Sequence, residues 1–407
     1  MDDHLRELAE LADTAGAVVV GEMTQQIERP HPGTYLGSGK LQELGDRVRE
    51  LEATLVIFDD ELSPSQGKNI EDAIGTRVMD RAELILDIFA TRARSAEAKM
   101  QVELAQLEYM LPRLTRMWSH LEKFRGGIGV RGPGETQLET DRRLINHRIK
   151  VLRERLLDVQ RGRSIQRQSR AGEFKASIVG YTNAGKSSIL RALSGQDVFV
   201  EDRLFATLDP LTRDVEVADH SHVLLTDTVG FIRKLPHHLV ASFRATLEET
   251  READLLLHVV DASSPTWEEQ RVVVDQVLDE LNVNDRPKLL VFNKIDLLTH
   301  EQLLALQERI GALVPGSIFV STMTDGGLEP LKRALASALR ARRPLAQIRM
   351  SPSDGKTLAE IHRDGEVIDQ RMDGDQLLIE ARVGDALAGR LRSLGAEVSH
   401  LKPVAAR

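Results

Sequence analysis

The chain has 407 residues, which is enough for about two to four domains with hydrophobic cores of their own. It contains no cysteine, which excludes a disulfide framework and thiol catalysis, and its 12 histidines show no paired metal-ligand spacing. No apolar run reaches the roughly 18–20 residues of a membrane span, and the acidic N-terminus is unlike a signal peptide. These features predict a cytoplasmic protein and leave open a peripheral contact with a membrane.

Charge is distributed unevenly along the chain. The net charge is −9, yet residues 92–170 contain 18 Lys and Arg against 9 Asp and Glu. A basic region within an acidic chain indicates a polyanionic partner. The alternative is that these cations only solvate a helical surface, and composition alone does not decide between the two.

Residues 1–92 alternate between strand-like and helical patterns. Strand-like runs stand at 17–20 (AVVV) and 54–58 (TLVIF), and helical patterns include KLQELGDRVRELE and RAELILDIFATRA. This alternation predicts a small α/β domain.

The segment GTYLGSGKLQEL, residues 33–44, resembles a phosphate-binding loop but does not match one. Walker A requires Gly, four residues, Gly, Lys and then Ser or Thr. Gly33 lies one residue too far from Gly39, and Leu41 after Lys40 has no hydroxyl. Either the glycines permit a tight turn into a helix that begins near Lys40, or Lys40 contacts an anion or RNA.

Residues 93–170 predict a helical arm, because apolar residues recur at spacings of three and four as in coiled-coil seams. Pro112 lies inside the first seam and predicts a kink, since proline removes a backbone donor. A capping box from Thr136 to Glu139 marks the start of the second helix, so we expect two antiparallel helices joined at a tip. The seam residues are Leu104, Leu107, Leu111, Leu114, Trp118 and Leu121, then Ile145, Ile149, Leu152, Leu156 and Val159.

The tip between these helices, FRGGIGVRGPGETQLETDRR, is basic and rich in glycine. Glycine lets the backbone approach another surface, and arginine donates to phosphates and bases. This pattern favours contact with nucleic acid, while a tip without a partner and a protein-binding tip stay as alternatives. The candidate RNA-contact residues are Arg125, Gly126, Gly127, Arg131, Gly132, Arg142 and Arg143.

Residues 171–343 begin with a phosphate-binding motif. A strand-like run at 174–179 leads into GYTNAGKSS, in which Gly180, Gly185, Lys186 and Ser187 match Walker A in the strand–loop–helix context that the motif requires. Lys186 is expected to bridge the β- and γ-phosphates, and Ser187 is expected to ligate Mg²⁺.

Two later segments complete the predicted phosphate site. HVLLTDTVGF places Asp227 at a strand end, facing the metal, and Gly230 where its amide can sense the γ-phosphate. In RLFATLDPLTR, Thr207 is the hydroxyl expected to close over Mg²⁺ in the triphosphate state, with Thr212 as its rival.

The segment LLVFNKID identifies the base as guanine. Asp296, after Asn293 and Lys294, can accept two hydrogen bonds from guanine N1–H and the 2-amino group, which adenine does not offer in that geometry. The backbone at Ser321 and Thr322 is expected to contact guanine O6.

The motifs predict an α/β P-loop GTPase domain with a largely parallel sheet and the nucleotide at the strand C-termini. The catalytic residues are Lys186, Thr207 and Gly230, and the metal ligands are Ser187, Thr207 and Asp227. The nucleotide-binding residues are Gly180, Tyr181, Thr182, Asn183, Ala184, Gly185, Lys186, Ser187, Ser188, Phe205, Ala206, Thr207, Asp227, Gly230, Asn293, Lys294, Asp296, Ser321 and Thr322.

Phe231 stands where Ras-like GTPases carry the glutamine that positions the attacking water. A phenyl ring does not orient water by hydrogen bonding. The sequence therefore predicts slow intrinsic hydrolysis, with the catalytic geometry completed by a partner or by another part of the chain.

Residues 344–407 predict a small α+β domain. Two Asp-Gly pairs, at Asp364 and Asp373, lie between strand-like runs and are typical of β-turns, and a helical pattern follows through DALAGRLRSLG. No catalytic constellation occurs there, and His362 is expected on a strand surface.

Several segments resemble the HflX family of ribosome-associated GTPases. They are GTYLGSGKLQEL, DRAELILDIFATRARSAEAKMQVELAQLEYMLPRL, GGIGVRGPGETQLETDRR, GYTNAGKSS, LFATLDPLTRDV and DTVGFIRKLPHHLVASFRATLEE, so the similarity spans about residues 5–343. Two positions depart from the family pattern: Leu211 replaces the Thr of D-P-T-T-R, and Thr322 replaces the common Ala after Ser.

The resemblance implies a protein that binds the large ribosomal subunit with its helical tip near the peptidyl-transferase centre. It also implies GTP-dependent separation of stalled ribosomes and hydrolysis stimulated by ribosomes, and it assigns GTYLGSGKLQEL to a structural turn. A basic arm with a glycine-rich tip suits ribosomal RNA.

We therefore expect a GTP-hydrolysing, Mg²⁺-dependent ribosome-splitting or rescue factor that binds GTP and GDP, is monomeric when free, and has no DNA partner. A ribosome-assembly or RNA-remodelling GTPase is the first alternative. The second is a nucleotide-gated binding module with little turnover.

Overall fold

Three β-sheets organise the part of the chain that the computed structural model describes. That part comprises residues 2–26, 28–114, 137–168, 173–196, 203–218, 221–235, 248–283 and 285–400. In chain order the sheets have two, six and four strands.

The first sheet is a parallel pair at the centre of the N-terminal part. Its strands are β1 (Leu55–Phe58) and β2 (Arg77–Asp80). The helices of this part are α1 (Asp2–Thr14), α2 (Ser38–Glu50), α3 (Pro64–Ile74) and α4 (Arg81–Arg92). A capping box at Ser63 begins α3, and Gly75, in the left-handed conformation at φ 72°, ends it.

In this part the structure contradicts the strand expected at 17–20 and agrees with the turn expected at 33–39. The strand expected at 17–20 is absent: these residues pair with no strand among the described residues, and Val18 is 85% exposed. Three valines without a neighbouring strand have no ladder to join, so their β-propensity does not fix a strand. The glycines at 33–39 lead into α2, whose N-cap is Gly37, and Lys40 pairs with Glu43 on the same helix at 2.9 Å.

The helical arm consists of α5 (Ala96–Met110), a 3₁₀ turn (Leu111–Arg113) that contains Pro112, and α6 (Gln137–Gln168). The α-helix therefore ends at Met110, just before the proline at which the sequence predicts a kink. Seven residues of the predicted seam pack together, while Leu114 and Val159 do not belong to this cluster. Trp118, Leu121 and Thr136 lie outside the described residues. The buried members of the cluster are Leu104, Ile149, Leu152 and Leu156, with Met100, Leu107, Leu111 and Ile145 packed against them.

Arg113 anchors the arm to the first sheet. Its guanidinium lies 3.6 Å from the centre of the Tyr109 ring and donates to the Leu62 carbonyl at 2.7 Å. Asp80 accepts from the Tyr109 hydroxyl at 2.9 Å and from the Leu62 amide at 3.0 Å, and it lies 3.4 Å from Arg113. Because these polar groups are buried together, the root of the arm has a fixed orientation.

The second sheet has six strands in the order β4-β5-β3-β6-β7-β8, and β4 is antiparallel to its neighbour while the other pairs are parallel. Its strands are β3 (Lys175–Gly180), β4 (Leu211–Ala218), β5 (Ser221–Asp227), β6 (Leu255–Asp261), β7 (Lys288–Asn293) and β8 (Ile318–Phe319). The accompanying helices are α7 (Lys186–Ser194), α8 (Glu248–Arg251), α9 (Trp267–Glu280), α10 (His300–Leu313) and α11 (Glu329–Arg342). The central strands are almost continuously apolar and buried, as expected for parallel strands covered on both faces.

The third sheet is antiparallel, in the order β10-β11-β9-β12. The elements follow as β9 (Leu345–Met350), α12 (Gly355–Asp364), β10 (Glu366–Asp373), β11 (Gln376–Arg382), α13 (Asp385–Ser393) and β12 (Glu397–His400). This βαββαβ order is the ferredoxin-like arrangement.

One detail of the C-terminal expectation is wrong. The pair Asp364 and Gly365 ends helix α12 and does not join two strands, so His362 lies on a helix and not on a strand surface. The side chain of Asp354 accepts from the Thr357 amide at 3.2 Å and caps this helix, a local hydrogen bond that outweighs the strand-like pattern. The pair Asp373 and Gly374 does form the turn between β10 and β11.

The predicted fold class is confirmed: a P-loop α/β domain, preceded by a small α/β part with a helical arm and followed by a small α+β part. The domain limits at 92, 170 and 343 stay predictions.

A single apolar core joins the N-terminal helices to two loops of the six-stranded sheet. Leu204, Phe205 and Leu208 from one loop, and Val229, Phe231 and Ile232 from the other, share a cluster with buried residues of α1, α4 and α5. The rings of Phe89 on α4 and Phe205 meet edge to face, with centroids 4.7 Å apart. We call this cluster the interdomain core; because of it, the N-terminal helices fix the position of both loops.

Leu152→Ala should lower the free energy of unfolding by about 2–5 kcal/mol, because Leu152 is fully buried in the arm seam and truncation leaves a cavity. Leu157→Ala on the same helix is the matched control, since Leu157 is 53% exposed. Urea titration of both variants tests this. Equal losses of stability would mean that the seam does not hold the arm together.

Candidate nucleotide-binding site

The loop between β3 and α7 has the shape of a phosphate cradle. Gly185 has a φ of 89°, and a Cβ there would lie 2.2 Å from Asn293 Nδ2, so glycine is required. Asn293 also donates to the Ala184 carbonyl at 3.0 Å, which ties this loop to the end of β7. The amides of the loop and of the first turn of α7 form a potential anion site at a helix N-terminus.

Lys186 is buried at the start of α7. Its Nζ donates to the Tyr181 carbonyl at 2.8 Å, across the loop. Burial lowers the pKa of Lys186 to about 8; Lys294 acts in the same direction, and Asp227 opposes it. An anion bound in the loop would favour the charged ammonium and raise this pKa again.

Three side-chain oxygens from different segments converge beside Lys186. Ser187 Oγ lies 2.7 Å from Thr207 Oγ1 and donates to Asp227 Oδ2 at 2.6 Å. Burial raises the pKa of Asp227, although Lys186 and the hydroxyls of Ser187 and Thr207 oppose the shift. Thr212, the rival of Thr207, instead bonds Thr226 on the neighbouring strand at 2.8 Å.

This oxygen set fits Mg²⁺. Within the described residues, Asp227 Oδ1 is buried without a hydrogen-bond partner, and hydroxyl and carboxylate oxygens are ligands that Mg²⁺ prefers. Mg²⁺ commonly uses one or two protein groups together with phosphates of the substrate. The described residues contain no group of three or more His, Asp or Glu that could hold a metal ion alone.

The segment after Asp227 lies against the phosphate loop. A Cβ on Gly230 would lie 2.7 Å from Thr182 Cα and 3.1 Å from Lys186 Nζ. Phe231 donates its amide to the Gly180 carbonyl at 3.1 Å and accepts from the Thr182 amide at 2.7 Å. The Phe231 ring is only 1% exposed and belongs to the interdomain core, so the side chain that replaces glutamine is used for packing.

A cavity opens among these segments, and it contains two residues that the sequence reasoning missed. Arg203 lies four positions before Thr207 in the same loop, and Thr228 follows Asp227 and donates to the Ile178 carbonyl at 2.7 Å. The presence of Arg203 in the segment RLFATLDP was the available signal. The lining residues are Thr182, Asn183, Gly185, Lys186, Ser187, Ser188, Arg203, Phe205, Ala206, Thr207, Thr228 and Gly230.

The residues expected to bind the base lie at the ends of β7 and β8. Asp296 accepts from Ser321 Oγ at 2.5 Å, and the Met323 amide donates to the same hydroxyl at 3.0 Å. Lys294 pairs with Asp261 at 2.8 Å. Sequence reasoning missed Asp261, whose position at the end of β6 becomes informative only when β6 and β7 are known to be neighbours.

The candidate RNA-contact residues are only partly described. Arg142 and Arg143 are exposed on α6. Arg125, Gly126, Gly127, Arg131 and Gly132 lie outside the described residues.

The strand order, the phosphate loop, the converging oxygens and the N-K-x-D segment at the end of β7 together define a P-loop GTPase. Matches to family models agree: residues 2–90 match the GTP-binding GTPase N-terminal model, residues 92–170 its middle region, and residues 175–294 the 50S ribosome-binding GTPase model. No described helix is long and apolar enough to cross a bilayer.

The chain belongs to the HflX family of GTPases. It is 46% identical to the GTPase HflX of Lacrimispora saccharolytica over 389 residues, covering 95% of this chain and 91% of that protein. Identity to the GTPase HflX of Escherichia coli is 45% over 363 residues, or 89% and 85% of the two chains. A GTP-binding protein from Sulfolobus solfataricus in complex with GDP aligns at 26% identity over 83% of this chain and 96% of that one, with a TM-score of 0.44.

GTP affinity should fall as the pH rises through about 8. Above that pH, Lys186 of the nucleotide-free protein is mostly uncharged, and it must take up a proton to pair with phosphate. Since bound phosphate favours the ammonium, binding should take up a proton at about pH 9 and almost none at about pH 7. Calorimetry in buffers of different ionisation enthalpy measures this uptake. Lys356→Gln, at an exposed lysine, should leave it unchanged, and equal uptake at both pH values would contradict the prediction.

Asp296→Asn should weaken GTP binding by about 10- to 100-fold through the loss of a charge-assisted acceptor. The same change should favour xanthosine triphosphate, whose 2-oxo group accepts from an amide. Competition binding with both nucleotides measures the selectivity, and Asp279→Asn on the surface of α9 is the control. An unchanged preference for guanine would refute the assignment of Asp296.

Proposed function

We propose that this GTPase binds the large ribosomal subunit through its helical arm and promotes the splitting or rescue of stalled ribosomes. The supporting observation is the interdomain core, in which the helices that carry the arm pack directly on both loops of the nucleotide site. Binding at one end of such a unit changes the packing at the other when the loops respond to nucleotide.

The arm is suited to ribosomal RNA by charge and by stiffness. Residues 92–170, which include the arm and its tip, contain 18 Lys and Arg against 9 Asp and Glu, and Arg113 fixes the root of the arm. Phosphate contacts supply affinity for RNA without sequence readout. The description of the family model that matches residues 175–294, a 50S ribosome-binding GTPase, supports the large subunit as the partner.

At the nucleotide, we assign phosphate binding to the loop amides and Lys186, and base recognition to Asn293, Lys294, Asp296, Ser321 and Thr322. Ser187, Thr207 and Asp227 would hold Mg²⁺, which neutralises phosphate charge when it is bound. Lys186, Thr207 and the Gly230 amide then stabilise charge that develops on the γ-phosphate. The remaining nucleotide-binding residues contribute backbone amides and the walls of the cavity.

The burial of Phe231 favours slow turnover of the free protein. The ring lies in the interdomain core and has no polar atom with which to orient water. A partner that completes the catalytic geometry would therefore accelerate hydrolysis. The same observation is compatible with a nucleotide-gated binding module, which predicts no acceleration by any ribosomal particle.

GTP turnover with and without purified large subunits tests the proposal, beside light scattering of complete ribosomes. Accelerated turnover together with GTP-dependent loss of scattering is the expected result. Acceleration without dissociation would favour an assembly or RNA-remodelling factor, and no acceleration would favour the binding module.

Replacement of Arg125, Arg131, Arg142 and Arg143 by alanine should weaken association with the large subunit and leave basal hydrolysis unchanged. Each lost phosphate contact should also reduce the salt dependence of binding by about one unit of slope. Sedimentation at several salt concentrations measures both. Alanine at Arg349, Arg363, Arg371 and Arg392, exposed arginines of the C-terminal part, is the charge-matched control, and equal effects of the two sets would remove the tip from its assigned role.

A further inference from the structure

A buried polar cluster joins helix α1 to the nucleotide site, and its centre is Glu7. This side chain is 9% exposed and lies far in the sequence from Asp227, the carboxylate of the Mg²⁺ site. One of its oxygens, Oε1, accepts from Arg81, and the other, Oε2, accepts from the Tyr181 hydroxyl. Arg233 Nη2 lies 3.5 Å from Oε2.

Tyr181 carries this contact into both segments that flank the phosphates. It is the residue after Gly180 in the phosphate loop, and its hydroxyl accepts from the Arg233 amide at 2.9 Å. Glu7 thus acts on the backbone at residue 233 through a single intervening hydroxyl. The segment that begins at Gly230 is held at two points, by the backbone pairing of Phe231 with the loop and by the Tyr181 contact at Arg233.

The N-terminal part and the segment after Gly230 carry opposite charges where they meet. Asp59 accepts from Arg81 at 2.7 Å and from Lys234 at 2.6 Å, and Asp60 also accepts from Lys234 at 2.6 Å. Carboxylates of the N-terminal part therefore face cations that follow Gly230. Removal of one buried carboxylate leaves buried guanidinium groups short of a partner, which strongly weakens such a cluster.

We propose that Glu7 is a positioning residue for GTP hydrolysis, because its carboxylate, through Tyr181 and Arg233, fixes the segment that holds the Gly230 amide. This inference rests on the role assigned to Gly230 and is independent of ribosome binding. Glu7 belongs to the N-terminal part, and its described contacts are with Arg81, Tyr181 and Arg233, so it touches neither Lys186 nor the residues assigned to the base. Its loss therefore affects the rate of the chemical step and leaves the loop, Lys186 and the base contacts to bind GTP.

Glu7→Gln preserves shape and removes the charge, and it should lower basal kcat about 10-fold with KM for GTP changed by less than about 2-fold. Tyr181→Phe removes only the connecting hydroxyl and keeps the ion pairs, so it should lower kcat by a similar factor. Because both variants break the same connection, the decrease in kcat of the double variant should be no greater than the larger of the two single decreases.

Asp80→Asn is the control for general loosening of the N-terminal part. Asp80 is a buried carboxylate of this part whose described contacts, to Leu62, Glu83, Tyr109 and Arg113, stay within the N-terminal part and the arm root. Asp80→Asn should lower Tm without lowering kcat. Lys186→Ala should abolish GTP turnover, which would show that the measured hydrolysis comes from this site.

An unchanged or raised kcat in both Glu7→Gln and Tyr181→Phe would overturn the proposal. So would additive losses in the double variant, or an equal loss of kcat in Asp80→Asn. Because the assay contains no ribosomes, these outcomes are separate from any failure of the ribosome-splitting function.

Discussion

The packing of N-terminal helices on two loops at the carboxyl edge of the six-stranded sheet is the constraint on which this structure depends. Phe205 and Phe231 are almost wholly buried in that core; Thr207 lies two residues after Phe205, and Gly230 lies directly before Phe231. A loop fixed by an aromatic anchor presents its neighbouring hydroxyl and amide in one orientation. The phosphate site is therefore shaped partly by a region of the chain that contributes nothing to it directly.

This packing explains why phenylalanine fits the fold at position 231, where Ras-like GTPases carry glutamine. The backbone of Phe231 pairs with the phosphate loop on both sides, and its ring adds to the interdomain core. A buried aromatic side chain contributes more to stability than an amide that would need hydrogen-bond partners there. One side chain at position 231 cannot both fill the interdomain core and orient a water molecule, and in this chain it fills the core.

Sequence reasoning found most of the site because its motifs have a fixed local geometry. Gly185, Lys186 and Ser187 belong to one strand–loop–helix unit, so their spacing alone fixes their arrangement. Asp261 and Glu7 were missed because their roles depend on which strands are neighbours and on how separate parts of the chain pack, whereas Arg203 stands in the same short segment as Thr207. The strand expected at 17–20 and the strand position of His362 are wrong for related reasons. Residues 17–20 have no strand to pair with among the described residues, and the cap at Asp354 places His362 on a helix.

The seam and the surface of the arm are held by different forces, and this difference affects how the sequence can vary. Arg148 with Glu103, and Arg153 with Glu108, cross between the helices at exposed positions, where ion pairs contribute little to stability. The apolar seam and the buried root at Arg113 are sensitive to any change of volume or charge. Mutations can thus change the charge pattern of the arm surface while the geometry of the arm is kept. This surface can therefore evolve with its binding partner without a change of fold.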